Sequence, residues 1–386
     1  MNNAEWRGYD IGTRQEKIRS CYAGKPLACA EDMPVLVHTP NYFAFGGKPR
    51  SAKYWSDPKV MYDFQAAGYE HHLAHVDDDV VPYFMPWFGT GVLASAFGCD
   101  MREPEKQGED PAIAGPCVQN VQDIAKLKLP DPYQDKWMSR VLQFMDYARE
   151  KGDLPVGPTD LNSPLSTMAQ ICGYENLFLW MYEEPSAVHE LMEMVCETFT
   201  RWLKVQKKHS GEPLDASHGL QGVWSPKGVG VWMSDDDLVS ISASLYEEFV
   251  VEHYSKIFTT FGGGSLHYCG KGNHHLENFK KIKGLRAINN SPMGDFVTLA
   301  KLVKNRPKGV VIQIQDNVPL DAETYYGELF SSIESLDGVM VATWSVDKIA
   351  MEANGGYTTV EWDATETANK TVCAIRSAVR SRLMDG

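Results

Sequence analysis

Hydrophobic and polar positions follow two alternating periods along the second half of the chain. Short runs rich in apolar and β-branched residues are separated by longer stretches in which apolar residues recur every three or four positions. The runs predict strands at 265–269, 286–289, 310–314 and 339–343, and the stretches predict helices around 275–283, 296–304 and 322–334. Strands that alternate with helices on such a short repeat are typical of βα units with a parallel sheet.

The first half shows the same alternation less regularly. Its candidate strands lie at 34–38, 80–85, 155–158, 219–224 and 230–233. A helix is predicted over 188–208, where apolar residues at three- and four-residue spacing form one stripe: Val188, Leu191, Val195, Phe199 and Trp202. In total this makes about eight or nine strands, a number that favours a closed (β/α)8 barrel over an open doubly wound sheet.

The length of the chain bears on its domain organisation. The 386 residues exceed the roughly 250 of a usual barrel, yet no Pro/Gly/Ser-rich linker separates two halves. We therefore predict an α/β fold with a single TIM-type barrel domain over 1–386, an N-terminal extension at 1–30 and long insertions, among them a loop at 99–126.

Composition excludes several classes of function. The net charge of −14 argues against a nucleic-acid partner, because binding to phosphates needs a basic surface. No glycine-rich phosphate loop follows a strand. The sequence has neither an apolar signal segment in its first thirty residues nor an apolar run long enough to span a membrane. We expect a cytoplasmic protein whose eight cysteines are reduced thiols.

The most informative motif is the pair His267 and Cys269 at the end of a predicted strand. Side chains two positions apart on a strand point the same way, so imidazole and thiol can converge on one point. Neutral imidazole and thiolate are ligands that zinc prefers. The pair therefore predicts a metal site, and the alternative is two ordinary side chains at a strand end.

A catalytic zinc site needs at least three protein ligands. The first choice for the third ligand is Asp347, which follows the last predicted strand. Asp235, Asp236, Asp237 and His218 are alternatives, and without any of these no metal binds.

A second polar cluster lies at 71–79. His71 and His75 share a helical face, and three aspartates follow them. We interpret the cluster as a helix end followed by a solvated acidic turn, with a substrate-facing Asp78 or Asp79 as the alternative.

Several short motifs resemble the uroporphyrinogen decarboxylase superfamily over 155–289, and this resemblance implies a single (β/α)8 barrel. The motifs that carry it are Val156-Gly157-Pro158, Ser163-Pro164-Leu165, Gly173-Tyr174-Glu175-Asn176-Leu177, Leu245-Tyr246-Glu247-Glu248-Phe249-Val250 and His267-Tyr268-Cys269-Gly270.

The chain lacks the Arg-Gln-Ala-Gly-Arg-Tyr and Phe-Asp-Ser-Trp segments of true porphyrinogen decarboxylases, and its N-terminal arginines are scattered. It is similar instead to the corrinoid-dependent methyltransferases, in which a His-x-Cys-Gly segment follows a strand and binds zinc. The resemblance implies that His267 and Cys269 bind zinc here. That branch has a further cysteine ligand near the last strand, where this chain has Asp347 and no cysteine. This difference argues against a methyltransferase mechanism in which zinc activates the thiol that accepts the methyl group.

The resulting hypothesis is a zinc-dependent methyltransferase that moves a methyl group between a small methylated compound and a corrinoid, either free or carried by a partner protein. His267, Cys269 and Asp347 are the predicted zinc ligands. Asp160, Asp236 and Asp316, at strand ends, are the predicted catalytic residues that orient the substrate or supply a proton. The resemblance also implies a possible homodimer.

Two other functions stay open. One is a metal-free decarboxylase or lyase of the uroporphyrinogen decarboxylase type, which would use strand-end aspartates. The other is a non-catalytic protein that binds a metal or a tetrapyrrole. The fold alone does not choose between them, because this barrel supports many chemistries.

Overall fold

The computed structural model describes residues 5–39, 52–104, 110–152, 154–219, 222–316, 321–344, 350–351, 357–358 and 365–384. The strands, numbered in chain order, are β1 (Glu5–Trp6), β2 (Tyr9–Asp10), β3 (Val35–His38), β4 (Met101–Arg102), β5 (Ala112–Ile113), β6 (Ser217–His218), β7 (Trp224–Ser225), β8 (Val231–Ser234), β9 (Gly264–Cys269), β10 (Leu285–Ser291), β11 (Val311–Ile314), β12 (Val339–Trp344), β13 (Ala350–Met351) and β14 (Tyr357–Thr358).

The helices are α1 (Gly12–Tyr22), α2 (Pro58–His75), α3 (Val92–Ala96), α4 (Lys136–Lys151), α5 (Pro164–Cys172), α6 (Tyr174–Glu183), α7 (Pro185–Ser210), α8 (Ala243–Tyr246), α9 (Glu252–Thr260), α10 (Leu276–Lys281), α11 (Phe296–Asn305), α12 (Ala322–Ser332) and α13 (Thr365–Met384). The predicted helix over 188–208 is part of α7, and its apolar stripe is buried. None of the helices in the described part of the chain is long and apolar enough to cross a membrane.

Six parallel strands form one sheet in the order β3-β12-β11-β10-β9-β8. Their residues are almost all buried, as expected where helices cover the outer face of a parallel sheet and side chains fill the inner face. β3, near the start of the chain, pairs with β12, near its end. The sheet is therefore curved, so that a strand from the first part of the chain lies beside a strand from its last part.

Two further segments complete the ring. Segment 79–85 is not a regular strand, but Phe84 forms an isolated parallel bridge with Val156: Phe84 N–H donates to Pro155 O at 2.9 Å, and Gly157 N–H donates to Phe84 O at 2.8 Å. Segment 155–163 then joins β8, since Ser163 N–H donates to Ser234 O at 2.7 Å. With Asp79 N–H donating to Val35 O at 2.8 Å, the backbone hydrogen bonds run around the whole ring. The predicted (β/α)8 barrel is confirmed.

One predicted barrel strand is wrong. Of the described residues in 219–224, Gly219 N–H donates to Val223 O at 2.7 Å, and Trp224–Ser225 pairs antiparallel with Ser217–His218 in a short hairpin apart from the barrel sheet. Glycines at 219 and 222 approach the rings of Trp232 and His38 so closely that a Cβ atom would clash with them.

Two buried carboxylates join β3 to segment 79–85. Asp79 Oδ2 accepts a hydrogen bond from Val35 N–H at 2.9 Å, and Asp78 Oδ2 accepts one from Val37 N–H at 2.9 Å. These oxygens stand where carbonyl groups of a neighbouring strand would normally accept. The solvated acidic turn predicted for 77–79 is therefore wrong at Asp78 and Asp79, which are buried; Asp77 is exposed.

Cations surround the two carboxylates. Asp78 receives hydrogen bonds from Arg14 Nη1 at 3.2 Å and faces His72 Nε2 at 3.1 Å, while Lys17 Nζ lies 2.6 Å from Asp79 Oδ1. Burial alone would raise the pKa of Asp78, but His72 and Arg14 hold it below its usual value. Since Arg14 and Lys17 belong to α1, the network fastens the N-terminal helix to the barrel.

Replacing Asp78 by alanine is expected to lower the free energy of unfolding by about 3–5 kcal/mol, the usual cost of removing one partner from a buried charged network. Urea denaturation measures this loss. Asp77→Ala is the matched control, because Asp77 pairs with Arg376 at the surface, where an ion pair contributes about 1 kcal/mol or less. Equal urea midpoints for the two variants would contradict the assignment.

Candidate metal centre

Four neighbouring elements bring their carboxyl ends together at one edge of the barrel, the edge at which barrel enzymes have their active sites. They are segment 155–163, β8, β9 and β10. In the register of the sheet, Ser234 is beside His267 and His267 is beside Asn289. Cys269, at the end of β9, is beside Ser291.

Three side chains converge at this edge: Asp236, His267 and Cys269. Their potential ligand atoms all lie within 4.8 Å of one another. His267 Nε2 is 3.6 Å from Asp236 Oδ1 and 3.6 Å from Cys269 Sγ. Asp236 is held in place because its Oδ1 accepts a hydrogen bond from Cys269 N–H at 2.7 Å.

The donor set fits zinc, which binds carboxylate oxygen, imidazole nitrogen and thiolate sulfur in tetrahedral sites. His267 Nδ1 lies 2.6 Å from Asn289 Oδ1. Because an amide oxygen only accepts, this contact places the proton on Nδ1 and leaves the lone pair of Nε2 toward Asp236 and Cys269. Three protein ligands leave a fourth position for substrate, as in catalytic zinc sites.

The site lies at a boundary between core and solvent. His267 is 4% exposed, whereas the side chain of Asp236 is 56% exposed, and Cys269 is half-buried. The ring of Trp232 stacks on His267 with centroids 5.9 Å apart and planes inclined at 16°. One side of the cluster is thus buried, while the other is exposed to solvent.

Cys269 has an altered acidity in the metal-free protein. Burial raises the pKa of its thiol to about 12, and the negative charge of Asp236 contributes. The thiol is therefore protonated at neutral pH and must lose its proton when it binds a metal.

We expect zinc binding to release one proton from Cys269, so the affinity should rise about tenfold for each pH unit between pH 6 and 8. Calorimetric titration in buffers with different heats of ionisation counts the released protons. In Cys269→Ser this proton release should disappear. Proton release that is unchanged in the variant would show that Cys269 is not a ligand.

Asp160 lies across β8 from the cluster. Its Oδ1 accepts a hydrogen bond from Ser234 Oγ at 3.4 Å, and its buried Oδ2 has no partner among the described residues. Burial raises the pKa of Asp160 to about 7, and the charge of Asp236 adds to the effect. A carboxyl group with this pKa can both give and take a proton near neutral pH.

The other aspartates after β8 have different environments. Asp235 is fully buried and accepts hydrogen bonds from Ser163 Oγ at 2.5 Å and Tyr246 O–H at 2.9 Å. Burial raises the pKa of Asp237, and Asp236 adds to the rise. Of the three consecutive aspartates, only Asp236 is part of the metal-ligand cluster.

Asp316 holds a loop. Its carboxylate accepts hydrogen bonds from Ser291 Oγ at 2.8 Å and from the N–H groups of Met293 and Gly294, each at 2.9 Å, and it also binds the Tyr325 hydroxyl. These contacts fix the turn after β10. A catalytic role for Asp316 stays a prediction, whereas its role in shaping the rim is visible.

Two other residues were candidates for the third ligand. Asp347, the first choice for the third ligand, lies outside the described residues. His218 Nδ1 instead lies 2.6 Å from Glu212 Oε1, on the hairpin of β6 and β7. Among the described residues Asp236 therefore fills the position for which the sequence left several choices.

Sequence reasoning missed Asn289. Nothing in the local sequence marks an asparagine inside a predicted strand as a partner of a histidine on the next strand. The sequence predicted only that Asn289 lies in a strand, at 286–289. The register that sets Asn289 beside His267 depends on sheet pairing and cannot be deduced from the strand alone.

Comparisons with known proteins agree with the fold and with part of the sequence interpretation. The model of the uroporphyrinogen decarboxylase (URO-D) family matches residues 30–215, which include Asp160 but none of the three residues of the metal cluster. The predicted resemblance is thereby confirmed. No curated protein matches the chain.

Solved structures contain similar barrels. A methyltransferase from Methanosarcina mazei superposes with a TM-score of 0.63 at 13% sequence identity, over 94% of this chain and 98% of that chain. At this identity the similarity shows a shared fold. It extends over the second half of the barrel, which the family model leaves unmatched.

Proposed function

We propose that the chain, of which residues 30–215 match the model of the uroporphyrinogen decarboxylase family, is a zinc-dependent methyltransferase. In this proposal a methyl group passes between a small methylated compound and a corrinoid, which is free or bound to a partner protein. The named function of the Methanosarcina mazei structure supports methyl transfer over the other chemistries of the fold. The observation that carries the proposal is the convergence of Asp236, His267 and Cys269 at the barrel mouth.

Asp236, His267 and Cys269 would hold the zinc ion. When bound, the metal supplies a Lewis acid that polarises the heteroatom carrying the methyl group. Asn289 keeps the imidazole of His267 in the orientation in which Nε2 is a ligand. Trp232 limits rotation of that ring by stacking on it.

Asp160 would supply the proton that the heteroatom needs when it loses its methyl group. Its Oδ2 is available because no described residue binds it, and its pKa of about 7 keeps the acid form populated near neutral pH. The demethylated product then leaves as a neutral molecule, while the corrinoid keeps the methyl group.

A metal-free decarboxylase or lyase is the second candidate. The observation in its favour is again Asp160, a buried acid whose proton exchange does not require the metal cluster. The two functions make different demands on His267. Methyl transfer requires its imidazole, and the metal-free reaction does not.

The test is a methyl-transfer assay with reduced cobalamin and a panel of methylated amines, thiols and ethers, followed by the absorbance change of the cobalamin. The variant is His267→Gln. His189→Gln is the matched control, since His189 is a partly exposed residue of α7 that pairs with Glu248 at 3.6 Å. We expect transfer from at least one donor by the wild type and the control, and none by His267→Gln.

Two results would overturn the proposal. Decarboxylation of a carboxylated substrate that persists in His267→Gln would favour the metal-free enzyme. Bound zinc without turnover of any donor would favour a non-catalytic metal-binding protein.

A further inference from the structure

A row of buried polar side chains crosses the barrel interior from His267 to helix α1. His267, Asn289 and Gln313 stand side by side in the register of β9, β10 and β11. Tyr22, the last residue of α1, joins the same row at Gln313. All four side chains are buried, so each hydrogen bond in the row has no water to replace it.

The row is continuous. His267 Nδ1 lies 2.6 Å from Asn289 Oδ1, and Asn289 Nδ2 donates to Gln313 Oε1 at 3.2 Å. Gln313 Nε2 donates to the Tyr22 hydroxyl at 3.0 Å. The Tyr22 hydroxyl lies 3.5 Å from Ser225 Oγ on β7. Hydrogen bonds thereby connect the side chain of His267 to α1 and β7, neither of which contributes a residue to the metal cluster.

The direction of these hydrogen bonds is set for the row as a whole. An amide side chain has one accepting end and one donating end. If the amide of Gln313 turned over, two N–H groups would face each other unless Asn289 turned over too. Asn289 would then donate to His267 Nδ1, and the proton of the imidazole would move to Nε2. The row therefore has two consistent arrangements, and only the observed one leaves a lone pair on Nε2.

We propose that Asn289 and Gln313 are positioning residues which, with the Tyr22 hydroxyl, select the tautomer of His267 that can bind a metal through Nε2. The role in metal binding rests on the proposed function, but the tautomer itself is a property of the metal-free chain. A residue of β11, two strands from His267, thus controls whether the cluster is complete.

The test measures the tautomer directly in metal-free protein labelled with ¹⁵N-histidine, by NMR at a pH where His267 is neutral. The chain has 11 histidines, and the signals of His267 are those missing from His267→Gln. In the wild type we expect a protonated Nδ1 and an unprotonated Nε2. Asn289→Leu should move the His267 signals toward the opposite tautomer, whereas Asn289→Asp, which keeps an accepting oxygen, should preserve the wild-type pattern.

Zinc affinity, measured by competition with a chromogenic chelator, gives a second readout. Asn289→Leu should weaken binding about 10- to 100-fold, as is usual when the partner of a ligating histidine is lost. Gln313→Met, which does not touch His267, should weaken binding up to about tenfold. Asn289→Asp should restore binding close to that of the wild type.

The ¹⁵N signals also separate this inference from the proposed function. A wild type that binds no zinc but has the expected tautomer would overturn the methyltransferase proposal and support the positioning role. Unchanged His267 signals in both Asn289→Leu and Gln313→Met would overturn the positioning role, whatever the zinc content. Should Asn289→Leu fail to fold, as judged by circular dichroism, the signals of Gln313→Met decide alone.

Discussion

Cys269→Ser is expected to yield a folded protein that no longer retains zinc, whereas the wild type purified without chelators should carry about one zinc ion per chain. A hydroxyl group replaces the thiolate, and zinc does not bind it comparably at neutral pH. Zinc sites with four ligands contribute about 10–16 kcal/mol, so one ligand is worth about 2.5–4 kcal/mol, or a factor of about 70 to 900 in affinity. Elemental analysis after dialysis measures the difference.

The control for this substitution is Cys373→Ser, because Cys373 is an exposed free cysteine of α13. It should retain the zinc content of the wild type. The hydrogen bond from the N–H of residue 269 to Asp236 does not involve the thiol, so thermal stability of the metal-free Cys269→Ser protein should match that of the metal-free wild type. Zinc retained in full by Cys269→Ser would remove the thiol from the ligand set and leave the metal mechanism without its strongest donor.

Asp160→Asn is expected to lower the rate of methyl transfer about 100- to 10,000-fold, the usual contribution of a positioned acid or base. The amide keeps the size of the side chain and an accepting oxygen for Ser234 Oγ, but it has no acidic proton. Asp160 is not in the metal cluster, so zinc content should not change. Steady-state kinetics test the expected loss of rate, and metal analysis of the same preparation tests the expected unchanged zinc content.

The rate of methyl transfer should depend on pH through the protonation of Asp160. Burial raises the pKa of Asp160 to about 7, with Asp236 contributing, so the proton-donating form is present below this pKa and lost as the pH rises through it. A cation bound by Asp236 cancels that contribution and lowers the pKa of Asp160 in the loaded enzyme. The rate should therefore fall with rising pH at or below about pH 7, and this limb should be absent from the residual activity of Asp160→Asn.

Asp295→Asn serves as the control for loss of a carboxylate at the same edge of the barrel. Asp295 caps α11 by accepting from Thr298 N–H at 2.9 Å, and asparagine caps helices equally well. Its pH profile should coincide with that of the wild type. If Asp160→Asn and Asp295→Asn behave alike, Asp160 has no role in proton transfer.

Much of the barrel could be predicted because its strands are marked by local pattern. β9, β10, β11 and β12 are short β-prone runs that recur at regular intervals, and each was predicted within a few residues. Local pattern failed at the strand predicted over 219–224, because Trp224 belongs to a short hairpin and not to the barrel sheet. The local pattern also failed at Asp78 and Asp79. A run of aspartates after a helix does not indicate that their carboxylates accept hydrogen bonds from backbone N–H groups of β3.

The candidate site was predictable only in part for a related reason. His267 and Cys269 lie on one strand, and the two-residue period of a strand is enough to bring their side chains together. Asp236, Asn289 and Asp160 come from three other elements, and their distances from His267 depend on sheet register. Sequence reasoning could name Asp236 as one of several choices, but only the fold places it 3.6 Å from the imidazole.

The pairing of β3 with β12 also bears on how the chain is made. A ribosome releases β3 well before β12, so the ring stays open until β12 has emerged. During this interval the nascent sheet has two unprotected edges, one of them β3, of the kind to which other strands add. Pairing of β12 with β3 thus closes the sheet and removes its exposed edges. A shortened chain that ends before residue 339 would keep those edges and would therefore remain prone to aggregation.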